Sequence, residues 1–212
     1  MYLVTSPFWL QWLYPKLIWH KSRSEKTIYL TFDDGPIPVV TPFVLKTLKE
    51  FNAKATFFCI GDNVAKHPEI FEQVIESGHA VGNHTYNHLN GWKTTDSLYI
   101  ENVNLCSKIV HSNLFRPPYG RAKKSQISKL QTRLTQYSIL NTQYCIIMWD
   151  VLSGDFDEKL SPEKCLSNVI SNVRNGSIIV FHDSLKAQPR LEYALPQVLE
   201  KLSSEGYTFK SL

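Results

Sequence analysis

Residues 27–36 read T-I-Y-L-T-F-D-D-G-P, and this stretch decides the fold. Its first six residues are mostly β-branched or aromatic, which is typical of a β-strand, and Asp-Gly-Pro is a turn signal. A helical period of apolar residues follows at 40–51, and a second apolar strand pattern follows at 55–60. Strand, turn, helix and strand in this order predict an α/β fold with parallel strands.

The same alternation continues to the end of the chain. Further strands are predicted at 79–82, 114–115, 144–149, 177–181 and 207–209, and further helices at 68–77, 94–110 and 122–136, from Pro162 onward, and around 191–202. About seven strands with helices between them predict a parallel sheet, and 212 residues are enough for the sheet to close into a barrel. No repeat or linker divides the chain after residue 27.

The composition describes a globular domain and excludes several classes of protein. Hydrophobic residues make up 43% and charged residues 20%, which excludes a disordered or fibrous chain. The net charge of +4 is small and diffuse, so we expect no nucleic-acid partner. The four cysteines contain no C-x-x-C pair and are too sparse for a disulfide scaffold, so we expect them to be structural.

Residues 1–26 form an aromatic N-terminal segment before the main domain expected at 27–212. Pro7 and Pro15 interrupt the segment, and it lacks the basic start and small-residue cleavage site of a signal peptide. We expect it to pack across the domain; the alternative is a membrane-interface anchor, because tryptophan favours that boundary. The compartment therefore stays open between the cytoplasm and the periphery of a membrane.

Reactive side chains follow the predicted strands, where ligands bind in parallel α/β folds. The residues concerned are Asp33, Asp34, His84, His88, Arg116, Asp155 and His182. Because the carboxyl ends of parallel strands meet at one edge of the sheet, we expect these side chains to converge on one site.

Two of these groups suggest a metal centre. His84 and His88 are four residues apart and can face the same side of one helical turn, although two solvated histidines would show the same spacing. Consecutive residues that leave a strand diverge, so one of Asp33 and Asp34 can complete a two-histidine, one-carboxylate site while the other faces water. Asp-Gly-Pro could also be a turn alone.

Five stretches carry a family resemblance: T-F-D-D-G-P, G-N-H-T-Y-N-H, R-P-P-Y-G, W-D-V-L-S-G-D-F and I-I-V-F-H-D-S. In this order they resemble the five motifs of the polysaccharide deacetylase family, the NodB-homology group or carbohydrate esterase family 4. The resemblance covers about residues 27–207. It implies a distorted (β/α) barrel of about seven parallel strands and a metal-dependent hydrolase that removes acetyl groups from N-acetylated sugars.

The resemblance also implies a role for each matching residue. Asp33 would be the general base, and Asp34, His84 and His88 would hold a divalent metal. Zinc is the first expectation, with cobalt, nickel or manganese as alternatives because the same ligands accept them. Arg116 would hold Asp33 in place.

The remaining motif residues would complete the site. The Tyr119 backbone N–H would help to stabilise an oxyanion, and His182 would be the general acid, with its pKa set partly by Asp155. Phe156 and Val180 would line a pocket for the acetyl methyl group.

The sequence departs from the family pattern at three positions. Phe156 stands where tryptophan is usual, Leu152 where an acid is frequent, and Val180 where leucine is usual. These changes predict an altered fit rather than a lost activity. Trp92, directly after the histidine motif, is a further candidate for contact with the sugar.

Three functions remain open from the sequence. We expect an N-deacetylase of N-acetylglucosamine-containing polysaccharide, with peptidoglycan or chitin-like oligomers as substrate partners. Peptidoglycan as the substrate would place the protein in the cell envelope. The same fold and metal could instead hydrolyse a small non-sugar amide or cyclic imide. A non-catalytic, metal-bearing sugar-binding protein is the third possibility, although it would have no need of Asp33, Arg116 and His182.

Overall fold

The computed structural model describes residues 2–132 and 143–212. Eight strands form one sheet: β1 (Thr27–Asp33), β2 (Ala55–Cys59), β3 (Ala80–Asn83), β4 (Leu114–Phe115), β5 (Cys145–Ile146), β6 (Val151–Leu152), β7 (Ile178–His182) and β8 (Thr208–Phe209). Among the described residues, eight α-helices accompany them: α1 (Phe8–Leu13), α2 (Val40–Glu50), α3 (Gly61–Lys66), α4 (Pro68–Glu76), α5 (Asp96–Ser107), α6 (Lys124–Gln131), α7 (Pro162–Ile170) and α8 (Gln188–Ser204).

The sheet is parallel and curls into a distorted barrel, as predicted. Seven strands follow one path in the order β5-β4-β3-β2-β1-β7-β6, and β8 pairs with the start of β1. β1 lies between β2 and β7 and is buried along most of its length, which explains its nearly continuous apolar sequence. Phe32 of β1 stacks between Phe57 and Phe181 of the two neighbouring strands, with ring centroids at 5.0 and 6.1 Å.

The outer helices cover the sheet with their apolar stripes. α7 begins where the sequence predicts: the Ser161 side chain accepts a hydrogen bond from the Lys164 N–H, and Pro162 is the first helical residue. The largest core cluster lies beneath α2, α4, α7 and α8. A second cluster joins α5, β4 and β5 to Leu17 and Trp19 of the N-terminal segment.

The N-terminal segment lies between the two edge strands of the barrel path. Ile18 N–H donates to the Ile146 carbonyl at 2.9 Å, and Met148 N–H donates to the Ile18 carbonyl at 2.7 Å. On the other side, Leu152 N–H donates to the Val4 carbonyl at 2.8 Å. The segment therefore satisfies backbone groups on both sides of the seam, where β5 and β6 do not pair with each other.

Several sequence-based boundaries are wrong. The strand expected at 144–149 is reduced to Cys145–Ile146, and α1, α3 and β6 were not predicted. The helix expected at 122–136 is α6, Lys124–Gln131; residues 133–136 of that prediction lie outside the described residues. The described helices include none with the length and hydropathy needed to span a membrane.

Candidate active site

The carboxyl ends of the strands surround a cavity of about 600 Å³. The structure brings most of the sequence-predicted site residues into its wall: Asp33, Asp34, His84, His88, Tyr119, Phe156, Val180 and His182. Arg116 and Asp155 are fully buried and reach the cavity only through the side chains they contact.

Asp33 is held by a buried arginine. Arg116 Nη1 donates to Asp33 Oδ1 at 2.7 Å, and the guanidinium lies over the Phe58 ring at 4.2 Å. Burial alone would raise the pKa of Asp33, but the Arg116 charge, with smaller effects of His84 and His182, holds that pKa below its ordinary value. Asp33 is therefore ionised at neutral pH and is fixed at the cavity wall.

Asp34, His84 and His88 form a cluster with the chemistry of a metal site. One ligand atom from each of the three lies within 4.8 Å of the others. The Nε2 atoms of His84 and His88 are 3.8 and 3.2 Å from Asp34 Oδ1, yet this buried oxygen has no hydrogen-bond partner in the structure. A buried carboxylate oxygen without a donor is costly, and a cation would relieve it.

The protonation of the two histidines also fits a metal. Burial lowers the pKa of His84 from 6.5 to about 4, and burial likewise lowers the pKa of His88. His84 Nδ1 lies 2.8 Å from the Arg116 carbonyl, which fixes the ring so that Nε2 faces Asp34. Neutral imidazoles and a carboxylate are the donors that a divalent transition metal prefers, so the residues present fit such an ion.

The two histidines lie on a loop, and the expected helical turn is wrong. Thr85 and His88 have φ of 64° and 54°, which a right-handed turn does not allow. Side chains from β3 and α5 hold the loop instead: Asn83 Oδ1 accepts from the Thr85 N–H, and Asn102 Oδ1 accepts from the Tyr86 N–H, both at 2.9 Å. Positive φ values at a ligand loop mark a geometry that the surrounding structure imposes.

His182 is paired with a buried carboxylate on the other side of the cavity. Asp155 Oδ1 lies 2.8 Å from His182 Nδ1, and Asp155 Oδ2 accepts from the His182 backbone N–H at 2.7 Å. Burial alone would lower the pKa of His182, but Asp155, together with Asp34 and Asp33, raises it from 6.5 to about 9. His182 is therefore cationic at neutral pH, and Asp155 occupies Nδ1 so that Nε2 is left for the cavity.

Comparison with known proteins agrees with this geometry. The sequence profile of the family described as "Polysaccharide deacetylase" matches residues 20–137, more than half of the chain. The chain belongs to the polysaccharide deacetylase family. The expected membership of this group of hydrolases is thereby confirmed.

Individual relatives of the family cover most of the chain. A peptidoglycan-N-acetylglucosamine deacetylase of Bacillus cereus is 32% identical over 198 residues, which cover 90% of this chain and 88% of that protein. A chitooligosaccharide deacetylase of Azorhizobium caulinodans is 33% identical over 169 residues, 76% of each chain. A crystal structure of a peptidoglycan N-acetylglucosamine deacetylase with a bound N-oxidanyl-benzamide aligns with a TM-score of 0.82 at 28% identity, over 98% of this chain and 95% of that one.

Phe156 stands in the cavity wall of this deacetylase-family chain, at the position where the family motif led us to expect tryptophan. The Phe156 ring packs edge-on against His182, with the ring centroids 5.2 Å apart, and lies tilted against Tyr2 at 5.0 Å. Tyr2 also donates its hydroxyl to Asp157 Oδ2 at 3.2 Å. Two smaller rings, one of them from the N-terminal segment, therefore stand at this wall.

Trp92 does not line the cavity. It is exposed, its Nε1 donates to the Ala122 carbonyl, and the Arg121 guanidinium lies 5.0 Å from its ring. Arg121 lines the cavity, so the Arg121 side chain separates Trp92 from the cavity.

Sequence reasoning missed three supporting residues. Tyr2 and Asn102 gave no sequence signal, because their partners are far away in the chain. Asp183, directly after His182, is buried and accepts from the Thr41 hydroxyl and the Gly35 N–H, which fixes the turn after Asp34. Burial raises the pKa of Asp183 to about 7. Only its place in the fifth motif could have drawn attention to it.

Proposed function

We propose that this protein removes N-acetyl groups from N-acetylglucosamine-containing polysaccharide, with peptidoglycan or chitin-like oligomers as substrates, and releases acetate. One observation carries the proposal: an ionised carboxylate, a cationic imidazole and a three-residue metal-binding cluster face one cavity. Together these three functions suffice for metal-assisted hydrolysis of an unactivated amide. The named activities of the relatives support the substrate class.

Asp34, His84 and His88 would hold a divalent metal ion, and we propose zinc. When bound, such an ion supplies a Lewis acid that polarises a carbonyl oxygen and makes water more acidic. Two observations support this assignment: Asp34 Oδ1 accepts no hydrogen bond from a described residue, and the two imidazoles are neutral.

Asp33 is the general base in this proposal. Its carboxylate accepts a proton from water as the water oxygen bonds to the amide carbon and the carbonyl electron pair moves onto oxygen. Arg116 keeps Asp33 ionised and restrains it through Oδ1. The Tyr119 backbone N–H would donate to the developing oxyanion.

His182 is the general acid. When the carbon–nitrogen bond breaks, His182 gives its Nε2 proton to the nitrogen, so that the sugar leaves as an amine and the acyl group as acetate. Asp155 stabilises the imidazolium before this step and holds the ring by Nδ1. Phe156 and Val180 would enclose the acetyl methyl group, and Trp92, outside the cavity, would contact a more distant sugar.

We also propose that residues 1–26 work as part of the catalytic domain at 27–212. Val4 and Ile18 pair with the barrel, and Tyr2 and Leu10 line the cavity. The N-terminal segment would therefore shape the substrate site as well as cover the barrel seam.

Acetate release from a substrate panel tests the proposal. The panel consists of peptidoglycan, chitooligosaccharides, acetylxylan and a cyclic imide, each with and without prior metal removal by a chelator. We expect acetate from the two N-acetylated glycans, loss after chelation and recovery when zinc is added. Activity that survives complete metal removal would contradict the mechanism, and ring opening of the imide without acetate release would contradict the substrate.

A further inference from the structure

Helix α1 (Phe8–Leu13) presents an apolar surface that nothing in the described structure covers. Phe8 is 83% exposed, Trp9 51%, Trp12 79% and Leu13 54%. No residue of α1 is buried. We call these four residues the α1 apolar face.

The helical geometry places all four side chains on one side. At about 100° per residue, the four positions i, i+1, i+4 and i+5 fall within an arc of about 140°, so they form one broad stripe. Leu10 points the opposite way, packs against the second core cluster and lines the cavity. The helix is thus attached to the barrel through Leu10 while its larger apolar stripe faces outward.

The surroundings of the α1 apolar face are cationic. Residues 1–24 contain no Asp or Glu, and Lys16 lies three residues after Leu13, the last residue of α1. Lys16 and Lys124 are exposed, and Lys124 Nζ lies 5.7 Å from the ring of Tyr14, the residue directly after α1. Aromatic and aliphatic side chains flanked by lysines are complementary to a bilayer surface with anionic headgroups.

We propose that the α1 apolar face docks onto an anionic lipid bilayer. Tryptophan and phenylalanine insert at the headgroup boundary, and Lys16 and Lys124 pair with lipid phosphates. A sugar chain is the less suitable occupant, because it stacks on the faces of aromatic rings and gains little from the aliphatic Leu13 at the edge of the stripe. The proposal does not depend on the catalytic function.

Docking by α1 also orients the enzyme. Ser6, Pro7 and Leu10 line the catalytic cavity next to the α1 apolar face. The mouth of the cavity would therefore stand beside the membrane, where it can act on glycans close to the lipid surface.

Vesicle co-sedimentation of the full chain tests this proposal. The probes are vesicles of phosphatidylcholine alone and of phosphatidylcholine mixed with phosphatidylglycerol. We expect binding to the mixed vesicles, weaker binding to the neutral ones, and weakening by high salt. The double variant Phe8→Ser/Trp12→Ser should lose binding at least about tenfold, since it removes two of the inserted rings.

Two further variants serve as a matched control for exposed apolar residues and as a test of the lysine charges. Ile75→Ser/Leu98→Ser removes two exposed apolar side chains elsewhere and should bind like the wild type. Lys16→Glu/Lys124→Glu should reduce binding to the mixed vesicles only. Circular dichroism and acetate release from a soluble chitooligosaccharide check that each variant is folded.

The proposal is overturned if the wild type binds neither vesicle, or if Phe8→Ser/Trp12→Ser binds as well as the wild type. It is also overturned if this variant loses only its binding to insoluble peptidoglycan, since that result would make α1 a glycan-binding surface. If the wild type binds the mixed vesicles but releases no acetate from chitooligosaccharide, the proposed function is contradicted and the membrane-docking proposal is not.

Discussion

Two adjacent carboxylates have different environments although they are chemically identical. Asp33 ends β1 with extended backbone and is almost completely buried against Arg116. Asp34 has a φ of 87°, which turns its side chain away from Asp33 and toward His84 and His88. The backbone at one residue therefore separates the proposed proton acceptor from the proposed metal ligand.

The first prediction separates these two roles. Asp33→Asn should reduce acetate release by about 10²–10⁴-fold, because it removes the general base, but it should retain bound zinc. Asp34→Asn should lose both activity and zinc. Metal analysis of the purified variants, with circular dichroism as a check on folding, measures the difference. Loss of zinc from Asp33→Asn would contradict the assignment.

The second prediction concerns the His182–Asp155 pair. In protein stripped of metal, the His182 ring should titrate near 9, and Asp155→Asn should lower this pKa, as measured by NMR of the imidazole protons. Because the folded-state pKa is raised, the pair stabilises the fold fully below the ordinary value of 6.5. That contribution is lost as the pH rises through about 9. A Asp155→Asn variant with an unchanged His182 pKa would contradict this account.

At the scale of elements, the sequence pattern predicts what is locally encoded and misses what depends on distant partners. β1 was predicted within one residue, because its apolar run is continuous and ends in a turn signal. The strand expected at 144–149 failed because the carbonyls of Ile147 and Met148 accept from the Arg116 guanidinium instead of a neighbouring strand. β6 has only two residues, too few to show any period.

The N-terminal segment shows the same limit within a single stretch. Its aromatic composition is compatible with packing or with membrane contact, and composition alone does not tell which of its aromatic residues are buried and which are exposed. In the structure Trp19 is buried in the second core cluster, whereas Trp12 projects from α1. The difference arises because the N–H and the carbonyl of Ile18 both hydrogen-bond to the barrel, to Ile146 and Met148. This pairing directs the side chain of the next residue, Trp19, into the core.

The third prediction compares these two tryptophans. Trp19→Ala should lower the free energy of unfolding by about 3–5 kcal/mol, because it leaves a cavity in the core. Trp12→Ala, a matched change on the exposed side of the same segment, should alter it by no more than about 0.5 kcal/mol. Urea unfolding followed by circular dichroism measures both. Equal effects would show that the N-terminal segment is not integrated into the barrel.

At the scale of the whole molecule, the sequence motifs predicted which residues line the cavity more completely than the apolar patterns predicted the strands of the barrel. The motif residues lie toward the carboxyl ends of the strands or on the loops that follow them, at one edge of a parallel sheet, so their convergence follows from topology. Tyr2 and Asn102 were not predictable, since their partners Phe156 and Tyr86 are set by the closure of the barrel. The seam between β5 and β6 depends on the N-terminal segment in the same way.

The fourth prediction concerns the coupling of the metal cluster to global stability. The ligands come from loops after β1 and β3, and the unfolded chain cannot hold them within 4.8 Å of one another. Zinc should therefore bind the native state preferentially and add about 2.7 kcal/mol at a hundredfold excess over its Kd. For a chain of this size that corresponds to a rise in Tm of about 5–10 °C.

Calorimetry of the chelator-treated protein, with and without added zinc, measures this rise. Asp34→Asn should abolish it, because the cluster loses its carboxylate. Asp62→Asn, which changes an exposed acid paired with Lys66 outside the cluster, should keep the full response. A zinc-dependent rise that persists in Asp34→Asn would place the stabilising ion elsewhere in the molecule, since the two remaining histidines alone make a much weaker site.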